Sequence, residues 1–213
     1  MTTPQLSTNA RPKIISLSGL AGAGKDTVAD FLCSQYGYQR ISFAAPLKDV
    51  CAAIFGWDRE MLEGRTAAAR EVREIPDTFW SDRLGKPGFS PRRALQELGT
   101  DVLRTHFHAD IWLAAFEHRV ARAGPEARFV ITDCRFENEL ACLRKLGAAI
   151  WWIWRGLPPT WWNAARLGET VPGVHISETL WISKVVGAAD SRAIANNGTL
   201  AELHQKIVSE LNK

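Results

Sequence analysis

The sequence predicts an α/β fold built on a doubly wound, five-stranded parallel sheet, and three observations predict it. A glycine-rich turn, Gly19-Leu20-Ala21-Gly22-Ala23-Gly24-Lys25-Asp26-Thr27, joins an apolar strand pattern to a helical one. Short apolar runs alternate with helical periodicities along the chain, which implies parallel strands joined by crossover helices. A second buried-type strand, Phe129-Val130-Ile131-Thr132, ends in Asp133. The turn and Asp133 therefore both fall at strand carboxyl ends, where open α/β sheets bind ligands.

The first strand contains Ile14-Ile15-Ser16-Leu17. Residues 26–36 then carry Val28, Ala29, Phe31 and Leu32 at helical spacing and stop at Gly37, a C-cap. Residues 40–43 read as a short second strand, and 47–55 as a helix with Val50, Ala53 and Ile54 on one face. From 57 to 88 the pattern dissolves into charges, a Pro76 break and the turn Gly85-Lys86-Pro87-Gly88, so 57–89 reads as an insertion without core elements. Ser90 followed by Pro91 supplies an N-cap with proline at the first helical position, predicting a helix over 91–107. Another helix is expected over 110–122, the strand over 129–132, and a helix over 137–146 closed by Gly147. Residues 148–154 make the fourth strand, 156–175 a loop punctuated by proline and glycine, 193–195 a weak fifth strand and 200–211 the last helix. A chain of 213 residues suits one domain carrying this insertion and loop.

Composition narrows the setting. The four cysteines form no C-x-x-C pair, which suits a reduced protein without disulfides. No apolar run approaches the roughly 20 residues of a membrane helix, and the polar start lacks a signal peptide's hydrophobic region, so a soluble cytoplasmic protein is expected. Twenty-six basic and 23 acidic residues give a net charge of +3, too balanced to attract polymeric nucleic acid in bulk. Anion binding must come from local clusters.

The glycine-rich turn is such a cluster. Glycines at 19, 22 and 24 permit positive φ and close approach of backbone N–H groups to phosphate, the helix start adds its dipole, and Lys25 reaches the distal phosphates. The strict phosphate-loop pattern puts a hydroxyl after the lysine, whereas here Asp26 holds that slot and Thr27 follows it. A carboxylate there calls for magnesium, or for a group whose proton it accepts. Asp133, after four apolar residues, is placed either to hold that magnesium, directly or through water, or to cap the next helix. Arg135 either grips a phosphate or pairs with Glu137 or Glu139.

Phosphoryl transfer needs positioning and charge neutralisation, so arginines from separate segments should converge. Candidates are Arg65, Arg70 and Arg73 in the insertion, Arg92 and Arg93 at a helix start, and Arg166 in the late loop. Residues 156–175, with glycine and proline hinges and Arg166, form the candidate lid over the site. His106 and His108 invite a metal reading, but H-x-H without further ligands in register is structural. Trp151, Trp152 and Trp154 read as strand residues of the core, whereas adjacent Trp161 and Trp162 in a polar loop suggest a base clamp or a subunit contact.

Six blocks, in order, resemble the bacteriophage deoxynucleoside monophosphate kinases. They are Leu17-Ser18-Gly19 through Asp26-Thr27, Phe43-Ala44-Ala45-Pro46-Leu47-Lys48-Asp49, Pro91-Arg92-Arg93-Ala94-Leu95-Gln96-Glu97-Leu98-Gly99-Thr100-Asp101, Thr132-Asp133-Cys134-Arg135-Phe136-Glu137-Asn138-Glu139, His175-Ile176-Ser177-Glu178 and Asn196-Asn197-Gly198-Thr199-Leu200. The resemblance implies the nucleoside monophosphate kinase fold, ATP with Mg2+ as donor, a deoxynucleoside 5′-monophosphate as acceptor, a homodimer, and the cytoplasm of an infected bacterial host. In that family Lys25-Asp26-Thr27 is the ordinary form of the loop. Gly22, Ala23, Gly24, Lys25, Asp26 and Thr27 then bind ATP, and Asn197 with Gly198 is similar to the loop that accepts adenine. His175 and Glu178 become substrate or lid contacts.

On this reading Lys25, Asp26, Arg135 and Arg166 serve transfer, with Asp26 between the two phosphate sites and Asp26 and Asp133 toward the metal. The acceptor pocket comprises Phe43 stacking on the base, Gln96 reading its edge, Lys48, and Arg70, Arg92 and Arg93 toward the monophosphate, with Asp133 and Arg135 nearby. Two rivals remain at this point: another small-molecule kinase resembling dephospho-coenzyme A kinase, and a nucleotide-gated binding module with the tryptophans as its partner surface.

Overall fold

The computed structural model describes residues 11–174 and 176–213. Along the chain its helices are α1 (Lys25–Tyr36), α2 (Ala45–Phe55), α3 (Arg59–Glu63), α4 (Ala67–Val72), α5 (Thr78–Arg83), α6 (Pro91–Gln96), α7 (Ile111–Ala121), α8 (Glu137–Lys145), α9 (Trp162–Arg166), α10 (Ile176–Val185) and α11 (Leu200–Leu211), with a π-helical segment, Glu97–Phe107, continuing α6. The strands are β1 (Ile14–Ser18), β2 (Gln39–Ile41), β3 (Phe129–Ile131), β4 (Ala149–Trp154) and β5 (Ser191–Ala195). The chain divides into two compact units, one comprising the described residues through Ser42 with Gly124–Lys213, the other Phe43–Ala123.

The first unit holds the whole sheet, all parallel, in the order β2-β3-β1-β4-β5. Central β1 is buried throughout, with Ser16 opposite Ile131 on one side and Ile150 on the other. Its side chains alternate between faces. Ile15 and Leu17 join Val28, Leu32, Leu203 and Ile207 of α1 and α11 in one apolar core, which leaves Ser16 and Ser18 for the opposite face. The crossover from β1 runs out to β2 on one side, whereas that from its neighbour β3 runs past β1 to β4 on the other, so the carboxyl ends of β1 and β3 flank the topological switch where such sheets bind ligands. The expected five-stranded, doubly wound sheet is present.

The second unit is helical, and here the structure corrects the sequence reading. The insertion contains α3, α4 and α5, each capped by a side chain: Asp58 accepts from the Met61 N–H, Thr66 from Ala69 and Asp77 from Trp80. These helices are too short to show a periodicity, yet Leu62 of α3 is fully buried with Leu47, Cys51 and Trp112. The predicted helix over 91–107 is α-helical only to Gln96. Beyond it the Trp112 indole N–H donates to the Gly99 carbonyl at 2.9 Å, a competing bond that the regular i→i−4 pattern does not include. A Cβ on buried Gly99 would strike a Leu47 methyl, so a larger residue there requires Leu47 to shift. In the first unit, α9 lies inside the expected loop, and α10 follows it where no helix was expected.

Candidate active site

The glycine-rich turn sits between β1 and α1 as the pattern requires. Gly24, with φ of 103°, is the N-cap of α1; a Cβ there would strike the Asn196 side chain, and one on Gly19 would strike the Ile153 carbonyl oxygen. The loop is thus wedged against the ends of β4 and β5. Asn196 completes the clamp by donating its side-chain N–H to the Ala23 carbonyl at 2.9 Å. Lys25 Nζ donates to the Gly19 and Leu20 carbonyls at 2.7 and 3.0 Å, so the ammonium lies on its own loop and can exchange these acceptors for phosphate oxygens.

Lys25 borders a cavity of about 70 Å3 whose wall includes Ser18, Thr132, Arg135, Glu178 and Trp181. The space has room for about two waters and opens to solvent, so a phosphoryl group can seat against its wall. Arg135 donates to a Glu178 carboxylate oxygen at 2.8 Å. Burial holds the Lys25 ammonium below the ordinary lysine range; Asp26 and Glu178 oppose this, and Arg135 adds to it. Two cations and a carboxylate therefore share one small, partly desolvated space.

Arg135 owes its position to a residue that sequence reading cast only as a possible salt-bridge partner. Glu139 is buried, and its carboxylate accepts the backbone N–H groups of Arg135 and Phe136 at 2.9 and 3.2 Å, fixing the turn from β3 into α8. The Glu three residues into a helix was the signal for it. Half-buried Asp133 lies between Thr132 and Cys134, which both line the cavity. Burial, with Glu139 and Asp133 adding to it, drives the Cys134 thiol far up, so that sulfur is an inert wall.

Asp26 is more peripheral than its motif position suggests. Its side chain is 70% exposed and pairs with Arg40 at 2.6 Å, the guanidinium also reaching the Asp26 carbonyl and Asp30. Thr27 is exposed beside it. Asn197 accepts the Gly156 N–H at 2.7 Å, tying the turn after β5 to the start of the 156–175 segment. Within that segment, Arg166 on α9 lies on the wall of a larger cavity of about 440 Å3 bounded also by Thr179, Ser183 and Lys184 of α10. The Trp162 ring, read as a base clamp or subunit contact, instead packs between Trp152 and Trp181, at 6.3 and 6.1 Å between ring centres. Glu178 is placed as described, and His175 lies outside the described residues.

In the second unit, the expected acceptor residues are engaged with their own neighbours. Phe43 is 2% exposed and stacks on Phe116 at 4.3 Å, so its ring packs the core rather than presenting a face for a base. Lys48 pairs with Glu63 at 2.8 Å, Arg93 with Glu97 at 2.7 Å, and Arg92 with Glu74 at 4.0 Å. Arg70 caps the Gly64 and Arg65 carbonyls, Arg73 donates to Leu62, and Gln96 and Arg65 are exposed. His106 bonds the Asp101 carbonyl, and His108 accepts the Asp110 N–H. Among the described residues, no three His, Cys, Asp or Glu side chains gather for a metal, and no helix is long and apolar enough to cross a membrane.

Comparison with known proteins gives these features a context. Residues 63–207 match the family model for deoxynucleotide monophosphate kinase. A protein of Acanthamoeba polyphaga mimivirus, named provisionally for that activity, is 31% identical over 92% of this chain and 94% of its own. The deoxynucleotide monophosphate kinase of Enterobacteria phage T4 is 25% identical over 93% of this chain and 98% of its own, and the deoxynucleoside-5′-monophosphate kinase of Escherichia phage T5 29% over 62% and 72%. Among solved structures, dephospho-CoA kinase from Campylobacter jejuni is 15% identical with a TM-score of 0.48, covering 93% of this chain and 95% of that one. A phosphate loop, an arginine held over a phosphoryl-sized cavity and a family match across most of the sequence converge: the chain belongs to the deoxynucleotide monophosphate kinase family.

Proposed function

We infer that this kinase transfers the γ-phosphoryl group of ATP to a deoxynucleoside 5′-monophosphate, giving the diphosphate and ADP. The observation that carries the reading is Lys25 and Arg135 on one phosphoryl-sized cavity at the carboxyl end of β1. An acceptor phosphate oxygen attacks the γ-phosphorus while the bond to the ADP oxygen breaks. Lys25 follows the transferred group, Arg135 neutralises its equatorial oxygens, and Arg166 reaches it when the 156–175 segment closes and excludes water. The family match supports this reading over the coenzyme A and binding-module alternatives.

Magnesium bound with ATP neutralises the donor oxygens. Asp133, just beyond β3, would hold that ion directly or through water, and Asp26 in the first turn of α1 would join it on leaving Arg40. Gly22, Ala23, Gly24, Thr27 and Asn197 complete the donor side. Acceptor recognition belongs to the second unit, through Lys48, Arg92 and Arg93, whose ion pairs exchange for phosphate when the acceptor binds, with Arg70 and Gln96 beside them. Phe43 supports that site from the core. We propose that the active species is a homodimer in the host cytoplasm.

An acceptor panel tests the reading: ADP release with dGMP, dTMP, dCMP, dAMP and the ribose counterparts. At least one deoxynucleotide should stimulate it stoichiometrically. Phosphorylation of dephospho-coenzyme A alone, or ATP hydrolysis indifferent to every monophosphate, would overturn it.

A further inference from the structure

Ser18 is the last residue of β1, only 3% exposed, and lines the Lys25 cavity. Its hydroxyl is buried and, among the described residues, has no hydrogen-bond partner. A buried hydroxyl left unpaired costs about 1–3 kcal/mol, so one retained beside a cation-lined cavity calls for an occupant. Strand alternation explains why it lies there. Ile15 and Leu17 pack in the apolar core, so Ser18 alternates to the opposite face of β1 at the strand end, where Leu17, Ser18, Glu178 and Trp181 all border the cavity. A packing role would be met as well by alanine or valine, which strands accept without a polar atom to satisfy.

We propose that Ser18 is a further substrate-binding residue, whose Oγ–H donates to a non-bridging oxygen of the phosphoryl group held by Lys25 and Arg135. The assignment rests on the phosphoryl-transfer reading of that cavity. The size of the space fits the assignment, since about two water volumes accommodate the phosphoryl oxygens. Lys25 and Arg135 approach as charges, whereas the strand-borne hydroxyl adds a short, directional donor on a rigid element. It therefore orients the group that the cations attract.

Ser16 provides the internal control. It is equally buried on the same face of β1 and its hydroxyl likewise has no hydrogen-bond partner among the described residues, but it does not border the cavity.

The experiment compares Ser18→Ala, Ser18→Cys and Ser16→Ala in steady-state transfer from ATP and in the melting-temperature shift produced by ATP. Hydrogen bonds to charged groups predict a loss in kcat/KM for ATP of about ten- to hundredfold in Ser18→Ala. Ser18→Cys, which keeps a weak donor, should lose less. Ser16→Ala should stay within twofold of the parent. Without nucleotide, Ser18→Ala should melt no lower than the parent, and its shift with ATP should be smaller. If Ser18→Ala is folded yet keeps kcat/KM within twofold and the full ATP shift, the hydroxyl is only a buried or hydrated strand residue and the assignment is lost. A parent protein that transfers to no deoxynucleotide defeats the kinase reading instead, and the ATP shift alone then decides whether Ser18 binds phosphate.

Discussion

Arg135 and Glu178 are 43 residues apart in the chain and meet at 2.8 Å on the wall of the cavity that Lys25 borders. The carboxylate takes one of the arginine's N–H donors. A phosphate that binds Arg135 there competes with Glu178 for it.

Glu178→Gln removes the competitor. Affinity for tripolyphosphate, measured by calorimetry, should rise about fivefold, the upper worth of a partly exposed ion pair. The KM for the deoxynucleotide should rise as well if Glu178 is also a lid contact. A fall in tripolyphosphate affinity would show that the carboxylate assists anion binding rather than opposing it.

Lys25→Met should lower kcat by roughly 10²–10³, the scale of losing one donor to developing charge. The pH profile gives a second readout. Because burial depresses the lysine pKa, the phosphate-binding ammonium is present below that lowered value and is lost as pH rises through it. The alkaline limb of kcat/KM should therefore fall below the ordinary lysine value of 10.5, and Lys25→Arg should abolish the limb.

Asp26→Asn separates a transfer-site carboxylate from an exposed helix residue. Its 70% exposure limits the stability change to about 0.5 kcal/mol. The rate should drop by about tenfold or more, and the magnesium concentration for half-maximal rate should shift. An unchanged magnesium titration would reduce Asp26 to the partner of Arg40.

Glu63 sets an acid limit on the second unit. Burial pulls its carboxyl up, but hydrogen bonds from Lys48 and Arg59 outweigh it and leave the group at about 2. A depressed carboxylate contributes stability that is full above its unfolded value, 4.5, and is lost as pH falls toward 2. With solvent screening of a half-buried group, the contribution is about 1–2 kcal/mol. Denaturant midpoints should fall across that window, and Glu63→Gln should flatten the decline.

The strands and their helices were legible because buried β1, β3 and β4 are nearly continuous apolar runs, and because glycines mark the ends of α1 and α8. The phosphate loop was legible because its conformation demands glycine. Helices of five or six residues were not, since α3 to α5 rest on single caps and on Leu62, and neither makes a period. The π-helical turn depends on Trp112 reaching Gly99, a tertiary bond invisible to local pattern. For the same reason, Ser18 and Asn196 passed unremarked as site residues: their meaning lies in what faces them across the sheet edge.

The bond from Asn196 to Ala23 spans 173 residues and joins the phosphate loop to the turn after β5. Biosynthesis therefore separates the loop from its clamp by 173 residues. Asn196 comes alongside the loop when β5 pairs with β4. A ribosome-bound chain stalled before β5 should therefore retain ATP more weakly than one extended beyond it.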